Sequence, residues 1–275
     1  MASDEYFLVI KKVKMDERRG VMSYYNQAES VVARIKEKAK ANKIRLNINT
    51  EDEINRYVAG KEGEERVSQS LKELTDIYSD MFLLNDVYFD LSEFQNPLSG
   101  FYPSMQIDHI LISNHAMYVI ETKKYPDGAS IDGTSRNRSW EYKDLIVKKS
   151  SRENALKQND GHIDNLKRII RNTESINIVS IVCVLNMSPQ NIKICTEYGK
   201  YLLTLEELPY MIEALEKKYH TGCIDEEQKA FLIEEIKKQN ICCFEQEVNH
   251  IIYVKLLRRL LNAKSKGKRG RKKKK

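Results

Sequence analysis

The chain has 275 residues, 41% of them hydrophobic, and a formal net charge of +6. That suffices for one large or two smaller domains with a proper core, and neither a membrane span nor a secretory leader is expected, because no apolar run reaches 18 residues. The five cysteines are odd in number, with Cys242 and Cys243 adjacent, and lack metal-ligand spacing; they point to reduced thiols and a cytoplasmic protein rather than a disulfide framework.

In chain order, Tyr6 to Val13 reads as a strand. Tyr24 to Ala41 reads as a long polar helix with a narrow apolar stripe of Val31, Val32 and Ile35. Residues 1–54 are set apart as an extension. Glu62 to Tyr78 carries Val67, Leu71, Leu74 and Ile77 at helical spacing, with Glu64 in the first turn after Gly60 and Gly63, where an acid favours the helix dipole. Met81 to Phe89 is a strand, Asn96 to Gly100 and Pro126 to Gly128 are loops, and Glu153 to Arg171 is a second amphipathic helix. Asn177 to Leu185 is a nearly all-apolar run of the kind that forms a fully buried strand. Three further helices are expected over Leu205–Tyr219, Asp225–Gln239 and Glu245–Asn262. Packing on the core, pairing as a homodimer and gripping nucleic acid all remain open for them, and no residue pattern identifies a helicase or other partner.

The segment between the first strand and the second helix carries the chemistry. Ile107 to Ile112 and Met117 to Ile120 are aliphatic runs joined by Ser113-Asn114-His115-Ala116, and Asn tolerates positive φ, so a two-residue hairpin turn fits at Asn114-His115. That turn pairs Ser113 with Ala116, brings Asp108 opposite Glu121 and Gln106 opposite Lys123, and puts Lys123 on the face of Glu121. Opposed residues have Cβ atoms roughly 4.5–5.5 Å apart, and like charges so placed repel. Two carboxylates that close in a dry site share a proton or hold a cation. Oxygen ligands suit Mg²⁺, with Mn²⁺ as a substitute, and Mg²⁺ binds through one or two carboxylates plus substrate phosphate. A lysine two residues along can orient or help deprotonate an attacking water and offset developing phosphate charge. The plainer reading is a structural acid–lysine pair at a strand end.

Gly60-x-x-Gly63-Glu64, Gln106-Ile107-Asp108-His109 and Glu121-Thr122-Lys123 together resemble the nuclease-related domain (NERD) family of the PD-(D/E)XK nuclease superfamily, over about Tyr57 to Glu207. The resemblance implies an α/β core of αβββαβ order, a mixed sheet flanked by helices, here with a C-terminal helical extension. It implies a domain near 55–205, followed by helices over 206–262. It singles out Glu64 as a further metal-site carboxylate beside Asp108 and Glu121, with Lys123 catalytic and Gln106 orienting. Asn154, Gln158 and His162, on the second helix, resemble the family's substrate-contacting pattern, although Ala155 stands where the family has Pro and His162 where it has an aromatic. An exposed polar helix face would account for them equally well. Trp140 is expected to pack in a core. The histidines lack zinc spacing, and no G-x-x-x-x-G-K-[ST] loop occurs.

Ala263 to Lys275 contains nine cations (Lys264, Lys266, Lys268, Arg269, Arg271, Lys272, Lys273, Lys274 and Lys275) and no acid. Subtracting them from the formal +6 leaves about −3 for residues 1–262. Composition predicts a disordered tail that holds polyanions without sequence preference; a solubility tail, an anionic-membrane contact or a nuclear localisation signal are the other readings. The leading expectation is a Mg²⁺-dependent phosphodiesterase acting on DNA, in DNA processing or defence against foreign DNA. The alternative is a nucleic-acid-binding or scaffolding protein that keeps the fold without turnover.

Overall fold

The computed structural model describes residues 2–220 and 224–272, with side chains described for 22–220, 224–261 and 263. The chain divides into two compact units. The larger comprises Gly63–Asn96 and Pro103–Gln246, the smaller Met1–Glu62, Pro97–Tyr102 and Glu247–Lys275. Among the described residues no helix is long and apolar enough to cross a membrane.

The larger unit is built on a five-stranded mixed sheet. β1 (Phe82–Asp90), β2 (Ser104–Ile112) and β3 (Met117–Lys124) form an antiparallel meander, and β7 (Ile178–Leu185) and β9 (Lys200–Thr204) join β3 in parallel, giving the order β1-β2-β3-β7-β9. Its central strands are buried on both faces, which is why they read as continuous aliphatic runs. On one face Val67, Leu71 and Leu74 of α2 (Thr50–Ile77) and Leu208, Ile212 and Leu215 of α4 (Leu208–Lys218) pack on Leu111, Tyr118, Ile120 and Ile181. On the other, Ile163 and Leu166 of α3 (Ala155–Ile169) and Leu232 and Ile236 of α5 (Glu226–Gln239) pack on Ile107, Ile110, Ile112 and Val119. This is the mixed sheet flanked by helices that the sequence implies.

A second sheet escapes the sequence reading. β4 (Ser130–Thr134), β5 (Ser139–Lys143), β6 (Ser150–Glu153) and β8 (Ile192–Cys195) pair in the order β6-β5-β4-β8. Its apolar side chains Ile131, Trp140 and Tyr142 close over Val182, Val184 and Leu156, so Trp140 is a core residue, its Nε1 donating to the Thr134 carbonyl at 3.0 Å.

In the smaller unit, Val31 and Ile35 of α1 (Ala2–Ala41) form a separate core with Phe101 and with Val248, Ile252, Tyr253 and Leu256 of α6 (Phe244–Lys272). Lys38 Nζ donates to Asn249 Oδ1 at 2.8 Å and the Tyr57 hydroxyl to Glu247 Oε1 at 2.9 Å.

Three elements differ from expectation. Tyr6 to Val13 is the early part of α1 rather than a strand; its apolar residues are followed by Lys11, Lys12 and Lys14, good helix formers, and nothing breaks the helix before Ala41. α2 begins at Thr50, twelve residues before the expected start, on a Thr50-Glu51-Asp52-Glu53 sequence that has the capping-box form. α6 carries the backbone through Lys272, whereas the composition of 263–275 predicts disorder. Lysine and arginine are good helix formers and favour the negative end of the helix dipole. The side chains of the nine tail cations lie outside the described residues.

Candidate active site

The hairpin closes as its register requires. Ile112 pairs with Met117, Leu111 with Tyr118, Ile110 with Val119 and His109 with Ile120, and Ser113 N donates to the Ala116 carbonyl at 3.0 Å. The turn chemistry is different from that expected, because neither Asn114 nor His115 has positive φ. Ser113 Oγ instead accepts from both His115 N and Ala116 N at 3.1 Å, a serine turn that needs no left-handed residue. Asn114 serves as an anchor: its Oδ1 accepts from the buried Lys229 Nζ at 2.6 Å and its carbonyl from Ile224 N at 2.7 Å.

At the other end of the hairpin the ladder stops. Beyond His109 and Ile120 there is no further pairing of β2 with β3, so the expected Asp108–Glu121 and Gln106–Lys123 pairs do not form in the ladder; Thr122 N instead donates to Asp108 Oδ2 at 2.7 Å. The β1–β2 ladder is interrupted at the same place. It runs to Asn85↔His109 and resumes at Val87↔Ile107, leaving out Asp86 and Asp108, and Asp86 has φ +54°. Side-chain packing records the consequence. Met105 and Ile107 share a core cluster with Ile110 and Ile112, so the alternation of β2 reverses across Asp108-His109; on β1, Leu84 packs with Val87 and Phe89 in that same cluster, so it reverses there too. Local interruptions of this kind re-aim side chains beside active sites. A left-handed aspartate costs about 1 kcal/mol or more.

Asp108 is thereby released from the ladder at 8% exposure, and Glu121 is 3% exposed. Glu121 Oε1 accepts from Lys123 Nζ in a close ion pair and from Gln158 Nε2 at 2.8 Å, while its Oε2 faces His162 Nδ1 at 3.4 Å. That nitrogen is buried and makes no hydrogen bond. Burial, then repulsion from Glu121 and Glu64, pushes the Asp108 carboxyl well above the usual carboxylate range, against the pull of Lys123 and the Thr122 N–H. Burial acts on Glu121 in the same direction but is outweighed by Lys123 and His162, which hold it below its ordinary value. Lys123 is held a firm cation: burial opposes its charge, and Glu121 and Asp108 more than compensate. His162 is pushed down by burial, which favours the neutral imidazole.

Glu64 belongs to this group although it lies well inside α2 rather than in a first turn, so the helix dipole does not account for it. α2 lies against the end of β3 at Gly63, where a Cβ would stand in ordinary van der Waals contact, 3.4 Å from Lys124 Cβ and 3.5 Å from Thr122 Cγ2. The next residue reaches the field of Asp108.

The other expected residues divide. Gln158 and His162 converge on Glu121. Gln106 Nε2 donates to Asp86 Oδ1 at 2.8 Å, an interaction the hairpin register alone does not suggest. Asn154 is fully buried and structural. Its Oδ1 caps α3 by accepting from Lys157 N at 3.2 Å, and its Nδ2 donates to the carbonyls of Ser135 at 2.9 Å and Asn137 at 2.7 Å. His109 is buried with both ring nitrogens engaged, by Asn85 Oδ1 at 2.7 Å and Thr122 Oγ1 at 3.2 Å, so it supports the end of β3. The residue the sequence reading passes over is Asp86. Its signal was an Asn85-Asp86 pair within the otherwise apolar first strand.

Residues 59–185 match the family model of the nuclease-related domain. That segment is similar to a nuclease-related domain. No curated protein and no solved structure gives a match. The domain runs from within α2 to the end of β7 and contains Glu64, Asp86, Gln106, Asp108, Glu121, Lys123, Gln158 and His162; it stops short of β8 and β9, which the Tyr57–Glu207 span includes. Divalent metals are the general cofactor of nuclease-related domains.

Among the described residues no group of three or more His, Cys, Asp or Glu forms a ready metal cage. The nuclease-related domain has instead two buried carboxylates with a third acid in electrostatic reach. This donor set fits Mg²⁺, which needs only one or two protein carboxylates and keeps its remaining positions for water and phosphate. The mutual repulsion at Asp108 is what a divalent cation would relieve.

Proposed function

We propose that the chain is a Mg²⁺-dependent nuclease that hydrolyses phosphodiester bonds of DNA, in DNA processing or in defence against foreign DNA. The observation that carries this reading is the juxtaposition of Asp108, Glu121 and Lys123 where β2 and β3 part, inside a nuclease-related domain. Asp108 and Glu121, with Glu64, would hold the cation, and Mn²⁺ would substitute. Bound there, the cation would polarise the phosphoryl oxygens and acidify water.

The protein's own residues supply the rest. Gln158 fixes one Glu121 oxygen and so sets the direction of the other. Lys123 is cationic, which suits it to orienting the attacking water and offsetting the charge that builds on phosphate, rather than to acting as a base. Gln106 acts through Asp86. Water oxygen would bond to phosphorus in line with the departing deoxyribose oxygen, which leaves with a proton, and the phosphate would stay on one product end. The basic tail would raise the local concentration of substrate; deleting 264–275 is expected to weaken binding and flatten its salt dependence while leaving the chemistry intact.

A protein that binds nucleic acid without turnover is the second reading, and the Lys123–Glu121 ion pair favours it to the extent that it engages a carboxylate needed for metal. Incubating purified protein with linear, circular and single-stranded DNA and with RNA, in Mg²⁺, Mn²⁺ or EDTA, separates the two. Metal-dependent cleavage that Asp108→Ala abolishes is the expected result. Identical behaviour of wild type and Asp108→Ala, without metal-dependent cleavage, would sink the enzyme reading.

A further inference from the structure

The smaller unit has a cleft of about 1110 Å³ whose lining is charged almost entirely in one sense. Arg45, Arg56, Lys255, Arg258 and Arg259 line it, against one carboxylate, Glu53. That carboxylate is used up within the cleft: its Oε1 lies 2.7 Å from Lys255 Nζ and 3.0 Å from Arg56 Nη1. It therefore sets two of the cations in place while leaving the lining with a large positive excess. Arg259 Nη1 donates to the Arg45 carbonyl at 2.9 Å, which ties α6 to the segment that follows α1. The concentration of charge is notable because residues 1–262 are together slightly acidic by formal count.

We infer that this cleft is a second nucleic-acid contact, which seats the phosphate backbone of a strand independently of the residues that cut it. Four of the five cations are arginines, whose planar forks match phosphate oxygens two at a time. The site is concave and open, which admits an extended polyanion but not the flat surface of a bilayer. Leu46 and Ala263 add apolar surface to the lining, beside the aliphatic stems of the cationic side chains. α6 leads directly from Lys255, Arg258 and Arg259 toward the basic residues beyond Ala263, so the cationic track continues in sequence. The identity of the polyanion rests on the nuclease reading; the cleft itself shares no residue with the Asp108 site.

The test is binding of a fluorescent single- or double-stranded oligonucleotide to the full chain in EDTA, where no cleavage contributes, across a salt series. Arg45→Gln/Arg56→Gln removes two exposed cations, one of them in a surface ion pair of little consequence for folding. It should weaken binding about fivefold or more and lower the slope of log K against log salt by about 1.5. Lys237→Gln/Lys238→Gln, which removes the same charge from the exposed side of α5, should leave both nearly unchanged. Equal losses in the two variants would reduce the effect to net charge and overturn the inference. So would unchanged oligonucleotide binding, or a loss confined to vesicles of phosphatidylcholine and phosphatidylglycerol. Cleft-dependent binding without metal-dependent cleavage by wild type would retire the nuclease reading and leave the cleft standing; cleavage with cleft-independent binding would do the reverse.

Discussion

Asp108, Glu121 and Lys123 are charges largely withdrawn from water, whereas Arg45, Arg56, Arg258 and Arg259 keep theirs in it. The first group is fixed by named partners: the Thr122 N–H, the Gln158 amide and each other. Its energies are large because the local dielectric is low, and removing one member leaves the others uncompensated. The second group faces solvent, where each contact is weak, screened by salt and replaceable by its neighbours. Chemistry at phosphorus calls for the former; holding a long polyanion in any register calls for the latter. On the proposed reading, the contrast makes cleavage and affinity separable in this chain.

The separation can be broken most directly at the buried group. Glu121→Gln should lower cleavage to background while leaving metal-free DNA affinity within about twofold, and Lys123→Met should cost about a hundred- to a thousandfold in rate, the scale of losing one fixed donor to a developing charge. If either variant instead loses affinity with its rate intact, the division of labour is wrong. Gln158→Ala should reduce the rate about 10- to 100-fold, as expected of a residue that orients a ligand rather than being one. Asn154→Ala sharpens the contrast from the other side. It should destabilise the fold by about 2 kcal/mol through the lost cap and buried carbonyl partners, measured by urea denaturation, with cleavage per folded molecule unchanged.

A smaller effect of opposite sign is expected at Asp108. In EDTA, Asp108→Asn removes a carboxylate that is pressed against Glu121 and Glu64, while its side-chain oxygen still accepts from Thr122 N. The variant should melt about 2–4 °C above wild type. Adding Mg²⁺ should raise the melting temperature of wild type and not that of the variant, which reads the cation without reference to activity. Smallest of all is a thiol contrast. Burial pushes the Cys183 thiol up to about 12, while Cys195, Cys242 and Cys243 are exposed. Iodoacetamide at neutral pH should therefore modify those three and spare Cys183 until the protein unfolds.

The hairpin was legible near its turn because its signal is local: aliphatic alternation sets the register, which survives a change in how the turn is made as far as His109 and Ile120, while the break beyond them has no local signal. Four of the main sheet's five strands and its helices were legible for the same reason, each being long and strongly patterned; the five-residue β9 was not. The second sheet was not, since strands of four or five residues such as Ser150–Glu153 show no period. Asn154 misled because capping a helix and touching a substrate call for the same side chain, and only burial separates them. The start of α2 was hidden by Gly60 and Gly63, which read as a boundary. Gly63 is in fact a point of close approach within a continuous helix. Glu64 owes its place to that approach, which the sequence displays only as a motif.

The paired interruption at Asp86 and Asp108 has a consequence for how this protein could lose its chemistry. Each strand carries one residue more than an unbroken ladder needs, and the two extras sit opposite one another. Deleting either alone would turn one half of its strand inside out. Deleting both would restore plain alternation, with Leu84 and Val87, and Ile107 and Ile110, still facing the core and the left-handed aspartate gone. The double deletion should yield a sheet at least as stable as the native one and without the carboxylate on β2 proposed to hold the cation. A scaffold-like descendant of this fold is thus two matched codons away.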